Sequence, residues 1–115
     1  MNNLVVLYGW KEPWEKLQKL LLTPDGKGNP ELLPNKYEIP ELGYDDKPGK
    51  IVFDVDIYNG EWDFFGVVIR NTEDTGESEI SIGEIERKLI EYLKDKTDLL
   101  DILNGYPKIH VFQNA

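Results

Sequence analysis

The sequence predicts one α+β domain with the element order βαββαβ. Three short runs of strand-forming residues occur near the beginning, the middle and the end of the chain, and segments with apolar residues at helical spacing separate them. An Asn-Gly pair divides the middle run and predicts a hairpin. At 115 residues and 40% hydrophobic content, the chain is long enough for a single hydrophobic core and too apolar to be disordered.

The first βα pair is predicted from the first 22 residues. The apolar run Leu4–Tyr8, followed by Gly9, is typical of a buried strand. Pro13 suits the first position of a helix, and Trp14, Leu17, Leu20 and Leu21 recur at helical spacing after it. We therefore predict a helix from about Glu12 to Leu22.

A long Pro/Gly-rich loop, residues 23–50, follows this predicted helix. It holds five of the seven prolines, which block helices and interrupt sheet ladders. Only Lys36–Ile39 is expected to form a brief edge strand. A connection of this length inside a small domain is usually functional or mobile, and the loop is a candidate contact arm.

The hairpin is predicted from Lys50–Tyr58 and Glu61–Arg70, joined by Asn59 and Gly60. If Asn59 and Gly60 form a two-residue loop, the numbers of the two residues in each facing pair of the hairpin sum to 119. That register gathers apolar side chains on one face, which we expect to be buried: Phe53, Val55, Ile57, Trp62, Phe64 and Val68. It places Asp54, Asp56 and Asp63 together on the other face.

The last third of the chain predicts a helical region and a final strand. After an acidic loop, residues 71–80, Ser81 and Glu84 match a capping box, and Ile82, Ile85, Leu89, Ile90 and Leu93 follow at helical spacing. Thr97 begins a second short helix, or one helix bends near Lys96. Lys108–Gln113 alternates as a strand does. This order is that of a ferredoxin-like split arrangement, with helices on one face of an antiparallel sheet and the other face exposed to solvent.

The charge of the chain is concentrated in Ile51–Ser81. These residues carry a net charge of −7 of the total of −9, because eight acids face one base, Arg70. Residues 1–50 and 82–115 each sum to −1. Such an uneven distribution produces a local negative field that attracts a basic partner or a cation.

Several functional classes are disfavoured by composition. A pI near 4.5 argues against nucleic acid and against anionic membranes as partners. The chain has no cysteine and one histidine, His110, so thiolate metal sites, zinc sites of the HExxH type and Cys–His catalytic pairs are excluded, and His110 is expected to be structural. Three aspartates on a flat sheet face would form only a weak site for Mg²⁺ or Ca²⁺. We expect a cytoplasmic protein with no catalytic residues, no cofactor and no metal site, and the oligomeric state stays open.

The leading hypothesis is a non-enzymatic protein that binds a basic protein through an acidic sheet face. Immunity-type inhibitors and phage anti-host inhibitors resemble it in size, acidity and lack of catalytic groups, a likeness of class only. The alternatives are a structural or assembly subunit, of a phage particle or of a homo-oligomer, that uses loop 23–50 as a contact arm, and a small metal-dependent module or enzyme. The candidate contact residues are seven acids and two aromatic anchors: Asp54, Asp56, Glu61, Asp63, Glu73, Asp74, Glu77, Trp10 and Tyr58.

Overall fold

The protein has an α+β fold built on a four-stranded antiparallel sheet with strand order β2-β3-β1-β4. The computed structural model describes residues 3–13, 15–17, 39–43, 46–55, 62–71 and 80–114. Within these ranges the elements are β1 (Asn3–Pro13), β2 (Ile51–Val55), β3 (Trp62–Asn71), α1 (Ile82–Leu93), α2 (Thr97–Ile102) and β4 (Lys108–Asn114).

Strand β1 is longer than predicted because Gly9 lies inside it. Gly9 pairs with Gly66 of β3, and a Cβ atom added to Gly9 would lie 2.0 Å from the carbonyl oxygen of Phe65. The glycine therefore permits a close approach of two backbones and does not end the strand. The prediction that a helix begins at Glu12 is wrong, since β1 continues to Pro13. Residues 15–17 are helical, and residues 18–22 lie outside the described ranges.

The hairpin strands pair antiparallel, but one residue away from the predicted register. Phe53 faces Phe65 and Val55 faces Asp63, so the paired residue numbers sum to 118 and not to 119. A shift of one residue turns every side chain of one strand to the opposite face. Phe65 therefore shares a face with Phe53, and Phe64 lies on the other. The predicted turn at Asn59 and Gly60, like Ile57, lies outside the described residues.

Both faces of the sheet carry buried apolar side chains. The helices pack on the face that carries Phe53 and Phe65, in a cluster of Trp10, Leu17, Ile39, Phe53, Phe65, Val67, Ile85, Leu89, Leu93, Leu99 and Leu103. A second cluster lies on the other face and consists of Val5, Leu7, Leu42, Val52 and Val68, with Phe64 and Phe112 packed against it. The expectation that this second face is a solvated acidic surface is therefore wrong.

Helix α1 begins at the predicted capping residue. The Ser81 Oγ accepts a hydrogen bond from the Glu84 backbone N–H at 3.1 Å. One stripe of the helix is buried through Ile85, Leu89 and Leu93. Separate helices α1 and α2, and not one bent helix, occupy the region around Lys96.

The outer edge of β2 is covered by a piece of loop 23–50. Phe53 donates its backbone N–H to the Pro40 carbonyl at 3.1 Å and accepts from the Leu42 N–H at 2.7 Å. Glu41 and Phe53 form a parallel bridge there. The predicted edge strand Lys36–Ile39 is described only at Ile39, and the edge contact is made by the residues that follow it.

Candidate functional site

The structure describes three of the nine candidate contact residues, namely Trp10, Asp54 and Asp63. The other six lie outside the described ranges: Asp56, Tyr58, Glu61, Glu73, Asp74 and Glu77.

Asp54 and Asp63 lie on opposite faces of the sheet. Asp54 is half-buried and pairs with Phe64, on the face away from the helices. Asp63 has 0% of its surface exposed and pairs with Val55, on the helix-covered face. The prediction that these two aspartates share one solvated surface is wrong, because the hairpin register is shifted by one residue.

Asp63 lies directly opposite a second buried carboxylate, that of Glu12 on β1. The Glu12 Oε1 accepts a hydrogen bond from the Asn104 backbone N–H at 2.9 Å, and its Oε2 lies 3.8 Å from the Lys16 Nζ. Glu12 thus fixes the α2–β4 connection to the end of the sheet. Sequence reasoning missed this role because it assigned Glu12 to a helix. The available signal was the alternation of Tyr8, Trp10 and Glu12 on one face of a longer strand.

Trp10 is part of the core and anchors the same connection. The residue is 7% exposed, and its ring stacks on that of Phe65 at a centroid distance of 6.3 Å. Its Nε1–H donates to the Gly105 carbonyl at 3.2 Å, and Gly105 adopts a positive φ of 71°. The contacts of Trp10 are thus made within the chain, which is at odds with an anchor displayed on the surface.

A buried aspartate that the sequence analysis missed, Asp46, organises the end of loop 23–50. Its two carboxylate oxygens accept hydrogen bonds from the Gly43 N–H at 2.7 Å and from the Lys50 Nζ at 2.6 Å. The buried Asn71 side chain donates to the Gly43 carbonyl at 3.0 Å. These bonds hold the chain in place as it enters β2. The only sequence signal was an Asp within a Pro/Gly-rich segment, where such side chains often bond the nearby backbone.

His110 lies among aromatic and basic side chains on β4. Its Nε2 is 3.3 Å from the Gly9 carbonyl oxygen, and its ring meets the Phe64 ring edge-on at 5.8 Å. Partial burial lowers the pKa of His110, with smaller contributions from Lys11 and Lys108, although the Gly9 carbonyl acts in the opposite direction. Folding therefore favours the neutral form of this imidazole relative to a free histidine.

The described residues contain no group of three or more His, Cys, Asp or Glu side chains that could hold a metal ion. Of the helices described, none is long and apolar enough to cross a membrane.

No protein family, curated protein or solved structure matches the chain in sequence or fold comparisons.

Proposed function

We propose that this chain is a small non-enzymatic binding protein that recruits a basic protein through the acidic segment Ile51–Ser81. The observation that supports the proposal is the charge distribution: 31 residues carry −7 of the total charge of −9. Solubility alone requires no such concentration in one segment.

The strand lengths divide the acidic residues into two groups. Asp54 is in β2, and Asp56 and Glu61 belong to the connection from β2 to β3, whereas Glu73, Asp74 and Glu77 follow the far end of β3. A ten-residue strand such as β3 spans about 30 Å. That length is nearly four Debye lengths at physiological salt, so the two ends of β3 act on a partner separately. We call them the hairpin acids (Asp54, Asp56, Glu61) and the exit acids (Glu73, Asp74, Glu77).

The physical role of these acids is to steer association. Complementary charge raises association rates from about 10⁵–10⁶ M⁻¹s⁻¹ toward 10⁸ M⁻¹s⁻¹ or more at low salt. Slow dissociation requires a desolvated apolar anchor as well. Tyr58, which follows β2 in the sequence, is the aromatic candidate, since Trp10 is buried in the core. An inhibitor of the immunity or phage anti-host type is the class of protein that this combination suits.

We further propose that the fold is the ferredoxin-like βαββαβ arrangement. The strand order β2-β3-β1-β4 with antiparallel neighbours, and the helices after β3 on one face, support this assignment. Residues 15–17 are helical and lie between β1 and β2 in the sequence, where the ferredoxin-like order has its first helix.

The assembly-subunit alternative rests on loop 23–50. In the described part of this loop, Pro40 and Leu42 bond β2 of the same chain, and Asp46 bonds Gly43 and Lys50. These residues therefore serve the fold of their own chain, and a contact arm would need residues 23–38. The third alternative, a small metal-dependent module or enzyme, has no specific observation in its favour.

Affinity capture from the source cell tests the proposal. The bait is the wild-type chain, and the control bait carries amides in place of all six hairpin and exit acids. We expect a basic protein to bind the wild-type bait and to elute as the salt concentration rises. Capture of a neutral or acidic protein, equal capture by both baits, or no capture at all would each contradict the proposal.

A further inference from the structure

We propose that the outer edge of β4 is a self-association surface, on which β4 of a second copy of this chain pairs antiparallel. This inference does not rest on the proposed function, since it concerns the opposite edge of the sheet from the β2 strand that carries Asp54.

The first observation is that β4 is an edge strand without the usual protection. Within the described part of the chain, β4 pairs with β1 alone, whereas the other edge strand, β2, is covered by residues 40–42. Natural edge strands discourage pairing with prolines, bulges or several charges. β4 spans seven residues, contains no proline, and has Lys108 at its first position as its one charged residue at neutral pH.

The second observation is an exposed apolar stripe along this edge. Ile109 is 55% exposed and Val111 is 60% exposed, on the same side of β4. On β1 they face Tyr8 and Val6, and Leu4, next along that face, is 44% exposed. The stripe lies on the helix-covered face, beyond the area that the helices cover. A contiguous apolar strip beside an open strand edge is a docking surface for another strand.

The charge distribution identifies a second copy as the occupant. The acidic segment belongs to β2, β3 and the connections at their ends, and β2 lies three strand spacings from β4, roughly 14 Å away. In a sheet joined through β4, the two β3 strands would be five spacings apart, about 24 Å, and the two β2 strands seven spacings apart, about 33 Å. Both distances are about three Debye lengths or more at physiological salt, so repulsion between the acidic strands of the two copies is largely screened. A basic partner would be drawn instead to the opposite side of the sheet.

The sequence of β4 is also complementary to itself. With the two-fold axis at His110, Ile109 of each copy faces Val111 of the other, and Lys108 faces Phe112. The apolar stripes then meet on one face, and each lysine stem covers a ring on the other. No like charges are opposed at pH 7, where His110 is neutral. A contact based on one seven-residue strand is small, so we expect dissociation constants in the micromolar range.

Sedimentation velocity and light scattering of the full chain, from about 1 to 300 μM, test the inference. The wild type should shift from 13.3 kDa toward twice that mass as its concentration rises. Val111→Lys places a charge in the apolar stripe and should keep the chain monomeric. Ile90→Lys is the matched control: it makes the same charge change at an apolar residue of α1 that is 69% exposed, and it should dimerise as the wild type does.

Ionic strength separates this association from binding to a basic partner. Added salt should tighten the dimer, because it screens repulsion between two acidic chains, and should weaken a complex with a basic protein. Ile109→Lys provides a second disruption, should Val111→Lys lose the native circular dichroism spectrum. A wild type that stays monomeric over the whole range, folded β4 variants that dimerise normally, or equal loss of the dimer in Ile90→Lys would overturn the inference.

Discussion

Replacing Phe65 by alanine should destabilise the protein far more than the same change at its neighbour Phe64. Phe65 is fully buried between the sheet and the helices and contacts the rings of Trp10 and Tyr92. Removing a buried phenylalanine side chain costs about 3–5 kcal/mol, since apolar contacts are lost and a cavity remains. We expect Phe65→Ala to fall within this range.

Phe64 is half-buried on the other face, stacked on Phe112 at a centroid distance of 3.9 Å. Because part of its surface is already in water, Phe64→Ala should cost roughly half as much, about 2 kcal/mol, including the lost stacking. Equilibrium urea unfolding of both variants and the wild type, with equal m-values, measures the difference. An effect of Phe64→Ala equal to or larger than that of Phe65→Ala would refute the observed register and restore the register in which residue numbers sum to 119.

Three further outcomes follow from single contacts. Gly9→Ala should destabilise the protein by more than about 2 kcal/mol or prevent folding, because the new methyl group would collide with the Phe65 carbonyl. Gly83→Ala is the control: a Cβ atom added there meets no other atom within 4 Å, so this change should be neutral or stabilise the protein by about 0.5 kcal/mol. Thermal unfolding compares the two variants. Ser81→Ala removes the cap of α1 and should cost about 1 kcal/mol in the same assay. Because the pKa of folded His110 lies below its usual value of 6.5, the unfolded chain takes up that proton first as the pH falls, so part of the stability is lost from pH 6.5 downward. His110→Gln should remove this pH-dependent part of the stability. The measurement is the difference between the free energies of unfolding in urea at about pH 7.5 and at about pH 5.5, in the wild type and in the variant.

The local signals in the sequence predicted helix α1 and the last strand well, but not the start of the first predicted helix. The Ser81–Glu84 cap and the spacing of Ile85, Leu89 and Leu93 locate α1 because capping and helical periodicity depend on neighbouring residues alone. The strand predicted at Lys108–Gln113 also depends on the pattern of neighbouring residues, and β4 (Lys108–Asn114) confirms it.

The register of the hairpin could not be predicted from its apolar pattern. β3 contains the unbroken run Phe64, Phe65, Gly66, Val67 and Val68, which presents apolar side chains to both faces. Both faces of this sheet bury apolar clusters. The alternation of apolar and polar residues therefore does not distinguish the register in which paired residue numbers sum to 118 from the register in which they sum to 119. The prediction took its register from a two-residue Asn59-Gly60 loop, and that register placed Asp63 on the face that was expected to be solvated.

The end of β1 depended on a long-range contact that no local pattern contains. A glycine that follows an apolar run usually indicates the end of a strand. Gly9 instead continues the strand and faces Gly66, 57 positions along the chain, so that two backbones approach closely. The contacts of Trp10 and Glu12 with Gly105 and Asn104 follow from that extension. Their buried positions could be recognised only once β1 was known to continue past Gly9.

The most direct test of the proposed function compares association rates of three charge-matched variants with the captured partner. One variant replaces the hairpin acids by amides, the second replaces the exit acids, and the third replaces exposed helix acids outside the segment: Glu86, Glu91 and Asp101. Each reduces the negative net charge of the chain from −9 to −6. Stopped-flow rates at low and high salt then separate location from total charge.

We predict that the hairpin variant or the exit variant slows association by at least about tenfold at low salt, and that the helix variant changes it less than about twofold. The difference should vanish at high salt, where the field is screened. Equal rates for all three variants across ionic strengths would contradict the claim that Ile51–Ser81 recruits the partner.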